Sequence, residues 1–349
     1  MTDSPVINAV WGFVVKLAED LTSALGLSGI ARESVILLVK SIGFLLLFTL
    51  NLLLLIYLER KVLGRIHNRR SITETGPFGT LQLIADFLKL MIKEDIRPFN
   101  ADVLLNYISA PLFVLAGFLA LSVIPWADGA SLIKVKYNLL FAAAFSSLIP
   151  GIVLLFAFPG QFSKYSLMGA FREGLKYLSE EIPLGLCIVA PALLARSLDM
   201  STIVRVQEAI KLPFAVVLPV GAVVHFIAMS MATGRSPFDI SEAESELIAG
   251  WRTDITAMKF GLAYMLEYLS LFVNSAIFTI LYLGGWAGPG DPLICFLVKV
   301  YIVMIANMVV RVTIFRPRPD QVISISWRYL IPLAAINVLW AVLLLSFLR

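Results

Sequence analysis

Apolar runs of about twenty residues recur along this 349-residue chain, and they limit what it can fold into. A bilayer core is about 30 Å thick, and a helix rising 1.5 Å per residue needs ~20 apolar residues to cross it. Inside hydrocarbon the backbone must satisfy its own hydrogen bonds, so such runs become helices. The hydropathy pattern predicts eight spans, at 34–58, 103–126, 137–158, 177–198, 213–233, 257–285, 292–314 and 327–348. Of the residues, 59% are hydrophobic and 15% charged, and the mean hydropathy is +0.88, which excludes an ordinary soluble domain. The expected fold is all-α and polytopic, with eight transmembrane helices plus cytoplasmic amphipathic helices. Residues 34–349 show no repeat and no dividing linker and are expected to form a single transmembrane domain. Residues 1–33 carry Val6, Val10, Trp11, Val14, Leu17, Leu21 and Leu25 at helical spacing between polar residues, the pattern of an amphipathic segment. No secretory signal peptide is legible there.

Lysine and arginine set the expected orientation. Arg60, Lys61, Arg65, Arg69, Arg70, Lys89, Lys93 and Arg97 follow the first span. Lys164, Arg172 and Lys176 follow the third, Arg235 and Arg252 the fifth, and Arg311, Arg316, Arg318 and Arg328 the seventh. The other loops hold far fewer. The positive-inside rule places these four loops in the cytoplasm and both termini outside a cell membrane. Every dense charged segment then lies on one face, as on a docking platform, whereas a pore or carrier more often shows polar features on both.

The cytoplasmic loops carry the chemistry. The first contains the turn Gly76-Pro77, then an apolar stripe of Leu81, Ile84, Leu88 and Ile92, with Gln82, Asp86, Lys89 and Lys93 on other faces. This is either a lipid-surface helix or a roof over an amphipathic ligand. The run Phe238–Glu246 places Asp239, Glu242, Glu244 and Glu246 within eight residues. Read as a helix, it puts Asp239, Glu242 and Glu246 on one face with Glu244 turned away. Crowded carboxylates in low dielectric hold protons near neutral pH, which suits proton storage and transfer. Glu173 with Lys176, and Lys176 with Glu180, stand at helical pairing distances. Glu181 lacks such a neighbour and lies where the chain enters the membrane, and Glu267 sits deep in the sixth span. Carboxylates at that depth default to function, although a salt-bridged structural role for Glu267 is the alternative. Pro317 and Pro319 force an extended or turn path, so that Arg311, Arg316 and Arg318 can face lipid phosphates, acidic neighbours or a partner subunit.

Some chemistries find no residues here. Cys187 and Cys295 lie far apart in apolar spans and read as small hydrophobes, not as ligands of an iron–sulfur cluster or zinc. His225 reads as a hydrogen-bonded packing residue, and His67 as a residue of a basic loop. There is no phosphate-binding glycine loop and no Ser/His/Asp layout. No metal, no covalently bound cofactor, no redox centre and no nucleic-acid partner is expected, so electrons must come from another chain.

Several segments carry a resemblance. They are Glu59-Arg-Lys-Val-Leu-Gly-Arg65, Gly76-Pro-Phe-Gly79 with Leu81-Gln82 and Ala85-Asp86 through Lys93-Glu94, and Glu181-Ile-Pro-Leu-Gly185. Arg235-Ser-Pro-Phe-Asp239 through Glu244-Ser-Glu-Leu247, Glu267-Tyr268 and Arg316-Pro-Arg-Pro-Asp-Gln321 complete the set. In this order, across residues 34–348, they resemble the quinone-site membrane (H-type) subunit of respiratory complex I. The resemblance implies eight transmembrane helices and outward termini. It also implies a share in a chamber for a lipid-soluble electron acceptor, near Glu59, Arg60, Phe238 and Asp239. It implies an acidic proton relay of Glu181, Glu242, Glu244, Glu246 and Glu267. Arg235, Arg316 and Arg318 would serve partner docking. Expected partners are peripheral subunits holding iron–sulfur clusters and flavin on the cytoplasmic face, small membrane subunits, antiporter-like subunits and membrane lipids.

The chain also departs from that pattern. Ser71-Ile-Thr73 stands where Gly-Pro-Asn is usual. Ala232-Thr-Gly-Arg235 replaces Glu-Thr-Asn-Arg, with the loss of one acid. Lys176 replaces a common Gln, Asp254 a common Glu, and Leu83 and Phe315 replace prolines. These changes suggest a divergent branch, such as a deazaflavin (factor-420) dehydrogenase that reduces methanophenazine in place of a quinone. A membrane-bound proton-pumping hydrogenase subunit is the alternative within the resemblance. A stand-alone secondary transporter using Glu267 and Glu181, and a purely structural anchor, are the rivals outside it.

Overall fold

A computed structural model describes residues 5–24, 29–96, 102–157 and 164–347. Helix α1 (Pro5–Ala24) lies along α2 (Ile30–Ile66), where the missing side chain of Gly43 admits Val14. At 37 residues α2 is about 55 Å long, so it crosses hydrocarbon and projects beyond it with Glu59 in the projecting part. After a turn, α3 (Gln82–Ile92) folds back against the bundle. Gly76 adopts φ 77°, and a Cβ there would come within 2.6 Å of Leu81, so the turn into α3 requires glycine.

Helices α4 (Val103–Val123), α5 (Asn138–Ala157) and α6 (Lys164–Ala195) follow, with Asp102 capping α4 by accepting from the Leu104 amide at 2.9 Å. The charged approach and the fourth expected span are one continuous helix, α6. Next comes α7 (Met200–Ile210), capped by Asp199. The expected fifth span divides into α8 (Phe214–Val217) and α9 (Pro219–Ala232). The pyrrolidine ring of Pro219 excludes helical geometry from Leu218, found at φ −124°, ψ 61°. With 14 residues, α9 rises only about 21 Å.

A turn region leads through α10 (Glu244–Leu247) to α11 (Ala257–Tyr282), then α12 (Pro292–Thr313). The last span is α13 (Pro319–Ile325), a π-helical turn at Ser326–Leu330 and α14 (Ile331–Phe347), joined without a break. The π turn brings the Ser326 hydroxyl to the Ser179 carbonyl of α6, to which it donates. In all, seven helices among the described residues are long and apolar enough to cross a membrane, with α9 as a shorter apolar eighth.

Helix α11 is the axis of the bundle. In its membrane stretch 83% of residues are buried, against 50% or fewer in the other long spans. Phe272 on α11 stacks with Trp126 at 5.8 Å and meets Phe48 of α2 edge-on at 5.3 Å. Leu46 and Leu50 of α2 instead face outward and are largely exposed, as lipid-facing residues are. His225 is fully buried, and neither ring nitrogen has a hydrogen-bond partner among the described residues. This corrects the hydrogen-bonded reading: Phe278 and Tyr282, with ring centroids 5.5 and 5.4 Å away, hold it by packing.

Candidate functional site: an ionic axis beside α11

The chain buries charge around one end of α11. Glu59, on the projecting part of α2, is 2% exposed. Arg235, just after α9, and Arg311, at the end of α12, each pair with one of its carboxylate oxygens. The Arg235 guanidinium lies 4.0 Å from the centre of the Tyr268 ring, a cation–π contact that helps hold an otherwise costly buried charge. Tyr268 meets Tyr264 at 5.5 Å, and Arg252 lies 5.7 Å from the Tyr264 ring. Arg252 pairs with both Glu242, at 2.9 Å, and Glu267. The Trp251 indole donates to Glu242 at 2.8 Å.

Two glycines place this turn. Gly250 adopts φ 55°, and a Cβ there would fall 1.8 Å from the Ser241 carbonyl oxygen. A Cβ on Gly169 of α6 would fall 2.5 Å from the Trp251 amide nitrogen. The turn Gly250–Arg252 therefore packs backbone-close to α6 and to the loop bearing Glu242, which aims Trp251 and Arg252 inward.

A cavity of about 30 Å³ opens between these groups, lined by Glu173, Lys176, Thr233, Glu242, Glu267 and Ser270 among others. That is room for about one or two water molecules, with several polar partners to hold them. Ala232 lines it too. Lys176 and Glu173 are paired at 2.8 Å and almost wholly buried. One turn along α6, Glu180 is fully buried, and neither carboxylate oxygen has a hydrogen-bond partner among the described residues. Burying a carboxylate without a partner costs several kcal/mol or more. Burial pushes Glu242 above the usual carboxylate range, against the opposing pull of Arg252, while Glu173 adds to the rise.

The run Phe238–Glu246 is not one helix, which corrects the shared acidic face. Residues 238–243 form turns, with the Phe238 amide bonded to the Arg235 carbonyl at 2.8 Å and only Glu244–Leu247 helical. Asp239 then points to Arg316, whose Nε lies 2.7 Å away, Glu242 points inward, and Glu246 pairs with Arg172. Opposing arginines pull the carboxylates in separate directions, so like-charge repulsion is not the organising force. The Glu244 side chain lies outside the described residues, as does Arg97.

The candidates of the acceptor chamber also separate. Arg60 pairs with Asp86 of α3 at 2.9 Å, and Gln82 donates to the same carboxylate. Phe238 packs inward with Ile240 and Val322. Leu81, Ile84, Leu88 and Ile92 all stay exposed on α3, while Leu83 is buried and Leu90 packs near Gly261 of α11. Arg235 is 5% exposed and engaged by Glu59, which removes it from the docking residues; Arg318 is exposed and Arg316 partly so. Glu267 is ion-paired, and Glu181 is half-buried on α6. No site role for Glu180, Arg252 or the Tyr264–Tyr268 pair is legible in the sequence, although the spacing of three and four puts Glu173, Lys176 and Glu180 on one face of α6.

Fold and site together define a multi-pass membrane protein that keeps an ionic axis inside its helix bundle. Residues 39–342 match the family model described as NADH dehydrogenase. The chain is 41% identical to the H-type subunit of the NADH-quinone oxidoreductase of Dehalococcoides mccartyi, over 86% of this chain and 83% of that protein. It is 37% identical to the H-type subunit of the F(420)H(2) dehydrogenase of Methanosarcina acetivorans, over 82% and 87%. With an H-type subunit of the NADH-quinone oxidoreductase of Rhodopseudomonas palustris it shares 39% identity, over 81% and 88%. The chain therefore belongs to the NADH dehydrogenase family and is a membrane subunit of the oxidoreductase type.

Proposed function

We propose that this chain couples reduction of a lipid-soluble electron acceptor, a quinone or methanophenazine, to ion translocation in a complex I-like pump. The observation that carries the reading is the run of buried and half-buried charged and aromatic groups from Glu59 through Arg235, Tyr268, Tyr264 and Arg252 to the small polar cavity at Glu242 and Glu267. A scaffold needs no such run of buried charge.

Reduction of a quinone-type acceptor takes two electrons and two protons. Partner subunits with flavin and iron–sulfur clusters supply the electrons, and the face bearing Glu59, Arg60, Asp239 and α3 borders the acceptor. That face is cytoplasmic, and both termini lie outside. Transient negative charge at the acceptor acts on Arg235 and Arg311, the cations that hold Glu59. Their adjustment passes through the tyrosine pair to Arg252, which is shared between Glu242 and Glu267. Each unit of pKa change at those acids is about 1.4 kcal/mol of bias on protonation. Glu173, Lys176 and Glu180 extend the axis along α6, and Glu181 and Glu246 border it. Coupled acids of this kind titrate as a group.

The test uses the intact complex in liposomes. Acceptor reduction should build an ion gradient, and Glu59→Gln should depress both together. Acceptor reduction and ion transport at wild-type levels in that variant would refute the path. Transport by this chain alone, without partners, would favour the transporter reading instead.

A further inference from the structure

A cavity of about 990 Å³, far larger than the one between the acids, lies away from the ionic axis at the other end of α6. Arg196, on its rim, follows Lys176 by twenty positions, so the two stand about 30 Å apart along the helix direction, one hydrocarbon thickness. The cavity thus falls at the level of the opposite layer of headgroups.

Three cations converge there from two separate segments. Lys134 and Lys136 belong to the connection between α4 and α5, and Arg196 follows the last turn of α6. All three are exposed, and among the described residues none forms an ion pair. The nearby acids are already committed. Asp199 caps α7 and accepts from Asn138 at 2.8 Å, and Asp128 pairs with Arg205 at 2.8 Å. The gathering runs against the charge bias of the sequence, which concentrates lysine and arginine on the other face. Below the cations the wall is apolar, with Val189 and Leu193 of α6 beside Leu345 of α14.

We infer that this crevice binds an anionic phospholipid, with its phosphate held by Lys134, Lys136 and Arg196 and its acyl chains lying along α6 and α14. Each half of the site matches one half of that molecule. A guanidinium and two ammonium groups complement a phosphate. Val189, Leu193 and Leu345 offer acyl chains an apolar wall beside the cations, which a soluble anion would not use. The volume lies within the range of ordinary ligand sites.

The test is native mass spectrometry of the whole complex, purified in detergent and re-exposed to phosphatidylglycerol or to phosphatidylcholine. The wild type should retain phosphatidylglycerol selectively, also in millimolar inorganic phosphate. The triple variant Lys134→Ala, Lys136→Ala, Arg196→Ala should lose that retention by roughly a hundredfold. An Arg69→Ala control, on the opposite face, should keep it. Should the triple variant fail to assemble, the single change Arg196→Gln should still weaken retention by about fivefold. Equal retention of the two lipids, displacement of lipid by inorganic phosphate, or loss of a partner subunit with lipid retention unchanged would each overturn the inference.

Discussion

Glu59 and Arg235 form an ion pair across 176 positions of sequence, and both are almost wholly buried. The pair ties the projecting end of α2 to the turn after α9, and Arg311 closes it from α12. Removing Arg235 leaves Glu59 with Arg311 alone and one carboxylate oxygen without its ion pair in low dielectric. Arg235→Ala should therefore cost about 3–5 kcal/mol. Thermal melting of the purified complex would show it, and a change comparable to a surface Arg→Ala substitution would contradict the burial argument.

Ala232 and Glu173 line the same cavity from opposite helices, α9 and α6. Where the resemblance puts an acid at 232, this chain has a methyl group, and it places Glu173 with its partner Lys176 across the gap. Glu173→Gln should lower ion transport, and adding Ala232→Glu should restore much of it. Ion flux in proteoliposomes measures both, and full transport by Glu173→Gln alone would exclude Glu173 from the path.

Glu242 gives a pH signature. Burial raises its pKa above the ordinary carboxylate range, so the folded chain binds this proton more tightly than the unfolded chain. Its contribution to stability is therefore most favourable at low pH and declines as pH rises from the unfolded value through the folded one. The neutral Glu242→Gln variant lacks that decline. Its melting temperature relative to wild type should rise as pH increases across this window, and a pH-independent difference would show that Glu242 is not shifted upward.

Gly250 sets the aim of Arg252. With φ at 55° and no space for a Cβ beside Ser241, Gly250→Ala should destabilise the chain by about 1–3 kcal/mol and displace Arg252 from Glu242 and Glu267. Melting and ion-flux assays together check this. A neutral substitution would mean that the turn can relax without moving the site.

The bundle was legible in the sequence because twenty-residue apolar runs have few other outcomes. The division between α8 and α9 was harder to read, since the hydropathy of residues 213–233 is continuous and only Pro219 marks the break. The residue types of the site were visible, but their directions were not. Asp239, Glu242 and Glu246 look like one acidic face until Arg316 and Arg172, both distant in sequence, and the nearer Arg252 draw them apart. Glu180 and Glu181 are adjacent letters in the sequence. The face of α6 that packs inward decides that Glu180 is the buried one.

In the proposed coupling, the acids around Arg252 link acceptor reduction to ion movement. The most direct measurement is the number of ions translocated per electron by the intact complex carrying Glu242→Gln in sealed proteoliposomes. A clear fall in that ratio is predicted, with electron transfer persisting once the membrane is made leaky to ions. Glu246→Gln should have a smaller effect, because Glu246 lies at the exposed edge. An unchanged ion-to-electron ratio in Glu242→Gln would contradict the account.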